Sequence, residues 1–446
     1  MKTAAAILTG LFVALLAIGA IGQDADGPAP APVDEPQCLV CHGESDLWDG
    51  EDRKYFVTAK DLANDVHWQQ GLRCHDCHGG DATSDDYGVA HSEDAGFRTL
   101  RDPRDVPGFC GSCHSDPQYM RRFGPRIRTD QEREYWTSGH GIHLKETGDT
   151  GVAHCISCHG HHGIRRVDDL ASPVYPTRVA QTCATCHDDA ERMEGREYEG
   201  RRIGHGQYAD WKESVHGQAM LKKGDLGAPT CNDCHGNHGA LPPEVGSVAN
   251  ACGTCHGKVA DLFRNTQMKH GFERAGLPGC ATCHGSHAIV SPTDDMLGMT
   301  EAAVCARCHE DGQFGATLAG AGVAREMRDR LEDLKARIAE AGERVADAER
   351  LGMEVREAKF DLHKAHDALV NARALIHAFK LEPIEEAVTA GRAITDRVTS
   401  QAEAAMQEHT ARRIWLGVSL LLIVVVVVVL VRAIRSLPPP EPAADA

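Results

Sequence analysis

The chain has 446 residues, a formal charge of −18, 18 cysteines and 26 histidines, while Phe, Tyr and Trp make up only 5%. That charge excludes a nucleic-acid-binding surface, which needs a basic face, and favours steering of a basic partner. With so few aromatics to supply buried area, something other than side chains is expected to fill the interior.

In chain order, residues 1–22 carry Lys2 and an apolar stretch from Ala4 to about Ile21, ending in the small residues Gly19, Ala20 and Gly22. This pattern predicts a signal peptide cleaved near Gly22, the alternative being an uncleaved N-terminal anchor. No cysteine lies near the cleavage site, which argues against a lipoprotein anchor. Residues 23–37 form an acidic, Pro-rich linker.

Residues 38–312 hold all 18 cysteines, in nine C-x-x-C-H units with none left over. The first five are Cys38/Cys41/His42, Cys74/Cys77/His78, Cys110/Cys113/His114, Cys155/Cys158/His159 and Cys183/Cys186/His187. The other four are Cys231/Cys234/His235, Cys252/Cys255/His256, Cys280/Cys283/His284 and Cys305/Cys308/His309. Two thiols three residues apart can bond both vinyl groups of one porphyrin, and the adjacent imidazole then sits on the iron. Nine covalent c-type haems are therefore expected. Zinc sites would not need a histidine after every second cysteine, and disulfides, though compatible with export, give no reason for one.

Four units, those ending at His78, His159, His235 and His284, continue as Cys-His-Gly with further histidines nearby, and three of them have a histidine three residues on: His162, His238 and His287. In the fourth, Gly80 and Asp81 follow and His91 lies further along. Each of the four also has an upstream histidine: His67, His140, His216 and His270. The other five units have neither, so haems come in a repeated pairing, a linear array rather than one core. These eight histidines are the candidate distal iron ligands, with propionate or outer hydrogen-bonding partners the competing role. A histidine three residues past the proximal one cannot reach its own haem's far face, so it should serve a neighbour. His143, His161 and His205 are substitutes.

These units resemble the multihaem c-type cytochromes, particularly the doubled-CXXCH, NapC/NirT-like and hydroxylamine oxidoreductase-like groups. Tyr135-Trp-Thr-Ser-Gly-His140-Gly and Trp211-Lys-Glu-Ser-Val-His216-Gly, each with its histidine fifteen residues before a haem-binding cysteine, are similar to phrases of that superfamily. The chain departs from the quinol-oxidising NapC/NirT type, which is anchored at the N-terminus. It also lacks the C-x-x-C-K unit of the ammonia-forming nitrite reductases.

Residues 38–309 offer only about thirty residues per haem. Short helices and loops wrapped round a linear haem stack are therefore expected, a mainly α fold with much irregular loop. In residues 313–413 Met327, Leu331, Leu334, Ile338, Val345 and Leu351 keep helical spacing. The pattern predicts a long helical hairpin that breaks at Glu382-Pro383. The ninth distal ligand is placed here, at His366, with His377 about 20° away on the same face and His363 about 60° away. Hydrogen bonding to propionates, or simple exposure, is the alternative. Residues 414–435 form one transmembrane helix, uncharged from Ile414 to Val431 and so about 27 Å long.

With the N-terminal body exported, residues 436–446 become a cytoplasmic tail and the protein a single-pass type I protein on the periplasmic or extracytoplasmic side. If every iron carries two imidazoles, no site is left for substrate. Electron transfer between a membrane or quinol-linked donor and a redox protein partner is then the expected role. The alternative is an oxidoreductase for nitrite, hydroxylamine or sulfur oxyanions with one five-coordinate haem. Lipid contact is expected through the C-terminal helix, and no nucleic-acid partner.

Overall fold

A computed structural model describes residues 37–124, 126–243 and 248–437. The signal peptide, most of the acidic linker and most of the C-terminal tail lie outside these residues. The fold is mainly helical, and the only strands among the described residues are the two-residue pair Glu197–Tyr198 and Arg201–Arg202. As the scarcity of chain per haem motif requires, the motif region consists of short helices joined by loops.

Residues 37–208 with 220–242 form one compact unit. Its larger buried apolar side chains, among them Leu62, Val106, Met120, Tyr135, Leu144 and Met193, are scattered along the chain. Residues 209–219 with 243–437 form the second unit. It holds both contiguous apolar clusters, built on three helices: α1, Leu318–Arg350; α2, Arg356–Leu375; and α3, Leu381–Arg435.

The three helices form because their apolar residues recur every three or four positions. Leu331, Leu334 and Ile338 of α1 meet Ala365, Leu369 and Ala372 of α2 and Ile384 and Val388 of α3. The expected single helical run to Leu381 is interrupted: α1 stops at Arg350, and Gly352, at φ 78°, turns the chain back. Only glycine adopts that conformation at little cost. Pro383 does not break a helix but sits in the first turn of α3, where its missing N–H has no intrahelical partner to lose. Leu334 is fully buried, and its methyl groups pack where Gly391 of α3 has no side chain. Leu334→Ala should destabilise this bundle by about 2–5 kcal/mol, measurable as a lowered urea midpoint of the helical signal.

The second unit does not divide at residue 312. Asp294, buried, accepts two hydrogen bonds from Arg373 of α2, at 2.8 and 2.6 Å, and Asp295 pairs with Arg328 of α1 at 2.7 Å. Lys258 reaches Asn371 at 2.9 Å. The last haem motifs are thus packed with the helices that follow them. From Ile414 the apolar side chains of α3 are exposed, and this is the one described helix long and apolar enough to cross a membrane.

Candidate haem-binding site

Most C-x-x-C-H units lie on or close a short helix, such as Cys38–His42, Cys74–His78, Cys155–His159 and Cys231–His235. One helical turn places the two cysteines on the same face with the histidine beside them. In four of the Cys-His-Gly units the glycine has a structural reason. Gly79, Gly160, Gly236 and Gly285 all have φ between 66° and 84°, so each ends its helix with a reversal that a side chain would strain.

The upstream histidines also share one local design. His67, His140, His216 and His270 sit within the first turns of short helices spanning Val66–Gln69, Gly139–Ile142, Val215–Lys223 and Gln267–Ala275. Asp65, Ser138, Ser214 and Thr266 cap them through side-chain oxygens. In the two phrases ending His-Gly, a Cβ on Gly141 or Gly217 would lie 2.0 or 2.1 Å from the carbonyl oxygen of Tyr135 or Trp211. The glycine is there because the chain passes too close for anything else.

These elements bring proximal and distal candidates face to face. In the first unit the ring centroids of His42 and His91 are 6.0 Å apart, His67 and His114 5.9 Å, and His78 and His162 6.4 Å. His140 and His187 are 6.1 Å apart, and His159 and His238 6.3 Å. In the second unit His216 and His256 are separated by 6.3 Å and His284 and His377 by 6.1 Å. A metal–imidazole bond of about 2 Å on each side of one atom sets two ring centroids about 6 Å apart. The spacing fits an iron between each pair.

The ring orientations fit as well. Nδ1 of His42 is 2.7 Å from the Tyr55 carbonyl, that of His91 3.0 Å from Tyr87 O, and that of His377 3.0 Å from Ala374 O. His235 and His309 make the same kind of contact, with Leu241 O at 3.1 Å and Thr317 O at 2.9 Å. A proton held on Nδ1 leaves Nε2 free to ligate. Burial, followed by the neighbouring His187 and His143, pushes His140 down to about 4. Burial likewise lowers His78, His114, His159, His187, His284 and His377. The neutral imidazole is the form that binds metal.

Thiols of successive units also meet. In the first unit Cys74 faces Cys38, Cys110 faces Cys155 and Cys183 faces Cys231, while Cys77 lies near Cys113 and Cys158 near Cys186. In the second, Cys252 faces Cys280, and Cys283 lies near both Cys305 and Cys308. Burial and then the partner thiol push Cys74 up to about 11.

Not every motif cysteine is interior. Cys41, Cys234 and Cys255 are exposed, whereas the other cysteines, Cys308 among them, are partly buried. In each of these three units the first cysteine, Cys38, Cys231 or Cys252, is the one that faces a thiol of a neighbouring unit.

The pairing order was not legible in the sequence. As the reach argument requires, His162 and His238 face the proximal histidines of earlier units, His78 and His159. The upstream histidines do the opposite: His67 and His140 face the later His114 and His187, and His216 faces His256. A backbone hydrogen bond ties the two kinds of segment together in three of the four repeats. The residue before the upstream histidine donates to the second residue past a downstream one: Val66 to Ile164 O at 2.7 Å, Gly139 to Ala240 O at 3.0 Å, and Val215 to Ile289 O at 2.8 Å. His270 keeps its sequence position, with Nδ1 3.3 Å from Glu273 Oε2, and its helix packs against the turn Gln313–Gly315 just past His309. His287 is half-buried beyond the Gly285 reversal.

His366 is the placement that changes. It is exposed on α2, as is His363, and among the described residues it makes no ring contact. The buried face of α2 is Ala358, Asp361, Ala365, Leu369 and Ala372. His377 lies beyond the end of α2, in the 3₁₀ turn Ile376–Ala378. The chain there no longer follows the angular register that put His366 and His377 on one face, so only His377 reaches a proximal histidine.

Residues 226–310, which contain the last four C-x-x-C-H units, match the family model described as cytochrome c3. The match supports a multihaem c-type cytochrome. Such a cytochrome carries covalently bound haem and transfers electrons. No curated protein and no solved structure matches the chain.

Proposed function

We propose that this cytochrome is a nine-haem electron conduit, exported and held on the outer face of a membrane by the apolar end of α3. The observation that carries the reading is the set of opposed imidazole pairs at 5.9–6.4 Å. Each cysteine pair would hold one porphyrin by thioether bonds. His42, His78, His114, His159, His187, His256 and His284 would ligate on one side, and His91, His162, His67, His238, His140, His216 and His377 respectively on the other. His235 and His309 are the remaining proximal ligands. The order of the repeat gives His270 to His309 and leaves His287 among the distal set. Haem supplies one-electron chemistry. The protein's part is to saturate each iron, so that no coordination position is open to substrate, and to set successive attachment cysteines side by side. The exposed Cys41, Cys234 and Cys255 would put one edge of three porphyrins near the surface, where an electron can enter or leave.

Charge and anchoring favour particular partners. A membrane-linked donor, such as a quinol-oxidising protein, and a redox partner with a basic face suit a chain of charge −18 tethered at one end. Intact mass should show nine haems on the mature chain. Electron paramagnetic resonance of the oxidised protein should show low-spin ferric iron throughout. A stoichiometric high-spin signal that changes on adding nitrite or hydroxylamine would replace this reading with that of an oxidoreductase carrying one five-coordinate haem.

A further inference from the structure

The three equivalent caps before upstream histidines are not chemically equivalent. Ser138 and Ser214 are buried, and their hydroxyls bond only to backbone: each donates to the carbonyl three residues back, at 2.6 Å, and accepts from Gly141 or Gly217. The first repeat has Asp65 at this position, also buried at 6% exposure. Its Oδ1 accepts from the backbone N–H of His67 and Trp68 at 2.8 and 3.3 Å, and its Oδ2 from Ile164 N at 2.8 Å. Oδ1 also lies 3.3 Å from Nδ1 of the His67 ring. The serines build the same local helix and the same tie to the downstream segment without a carboxylate, so the fold does not require that last contact.

Resting on the assignment of His67 and His114 to one haem, we infer that Asp65 is a positioning residue that sets the potential of that haem. A carboxylate 3.3 Å from the Nδ1 of a ligating imidazole favours positive charge on the ring and so raises its basicity. A more basic ligand stabilises ferric over ferrous iron, so this haem is held at a lower potential than it would have with a serine at position 65. The carboxylate is shielded from water, so its charge is weakly screened. Glu273, which touches His270 in a similar way, is exposed and paired with Lys269, so its influence is diluted by solvent. Asp65 therefore distinguishes one haem from its counterparts in the repeat.

The test is a spectroelectrochemical titration of the full holoprotein and of Asp65→Asn and Asp65→Ser, with resonance spectra taken at each potential. The ligand planes of His67 and His114 are near perpendicular, at 84°, whereas those of His159 and His238 lie at 11°. The angle between ligand planes sets the splitting of the iron d orbitals, so the Asp65-linked haem should carry the more anisotropic low-spin signal. That signal should titrate at higher potential in both variants, by at least tenfold in its oxidised-to-reduced ratio, about 59 mV for one electron. The converse variant, Ser138→Asp, should lower the potential of the haem held by His187 and His140. An unchanged titration with every haem still low-spin overturns the inference. Conversion of that haem to high spin in both Asp65 variants also overturns it, because Asp65 would then act only by holding His67 in place. A high-spin haem in the native protein at His114 would instead remove the ligand assignment beneath it.

Discussion

Chain made without haem attachment should lose residues 38–309 to limited proteolysis while a fragment beginning near Leu318 survives. The reason lies in where side chains alone make a core. Among the described residues the contiguous apolar clusters belong to α1, α2 and α3, where Leu331, Leu334, Ala365, Ala372, Ile384 and Val388 are fully buried against one another. A second cluster around Val345, Val355 and Val398 continues it. Burying a Leu, Ile or Val side chain is worth about 1.5–3 kcal/mol, so this bundle has its own driving force. The region of the nine C-x-x-C-H motifs instead spaces its buried apolar residues far apart in sequence and is built of short helices, which are marginal without tertiary support. Porphyrin faces are what those helices would pack on. Mass spectrometry of the digestion products would check this: protection of the haem region to the same extent as the bundle would contradict it.

His377→Ala should convert one haem from low to high spin, and His366→Ala should convert none. His377 faces His284 at 6.1 Å with ring planes 22° apart, close to stacked. In the proposed assignment, removing its imidazole would leave His284 as the one protein ligand of that haem. The same change loosens the junction between the last haem motifs and α2, which would then rest on Asp294–Arg373 and Lys258–Asn371. Optical and resonance spectra of the two variants separate the roles: a high-spin haem in His366→Ala, or none in His377→Ala, would return the assignment to the other histidine. An external imidazole should restore the low-spin signal of His377→Ala, because the lost group is then supplied from solution.

The chemistry of this protein is written in local spacing. Nine C-x-x-C-H units, the glycine after six of their histidines and the upstream and downstream histidines are all short-range patterns, and a short-range pattern fixes what one helical turn presents. The apolar periodicity of α1 and the uncharged stretch from Ile414 to Val431 are legible for the same reason.

What only the tertiary structure decided is which histidine lies opposite which. His162 faces His78 and His67 faces His114 across large sequence separations, and no periodicity encodes a contact between segments that meet by packing. Which cysteines face outward is settled in the same way: Cys41, Cys234 and Cys255 belong to units identical in spacing to the rest, and only the neighbour of each unit determines its outer side. Helical register carried from His366 to His377 assumes an unbroken helix. The chain ends α2 at Leu375, so a shared face on paper became an exposed His366 and an inward His377. Asp65 was hidden for a related reason: in sequence it is one more capping residue, and its contact with the His67 ring follows from the way the carboxylate is turned inward and clamped by Ile164. Residue type and spacing therefore determined the haem-binding motifs, whereas which histidines and carboxylates meet depended on long-range packing.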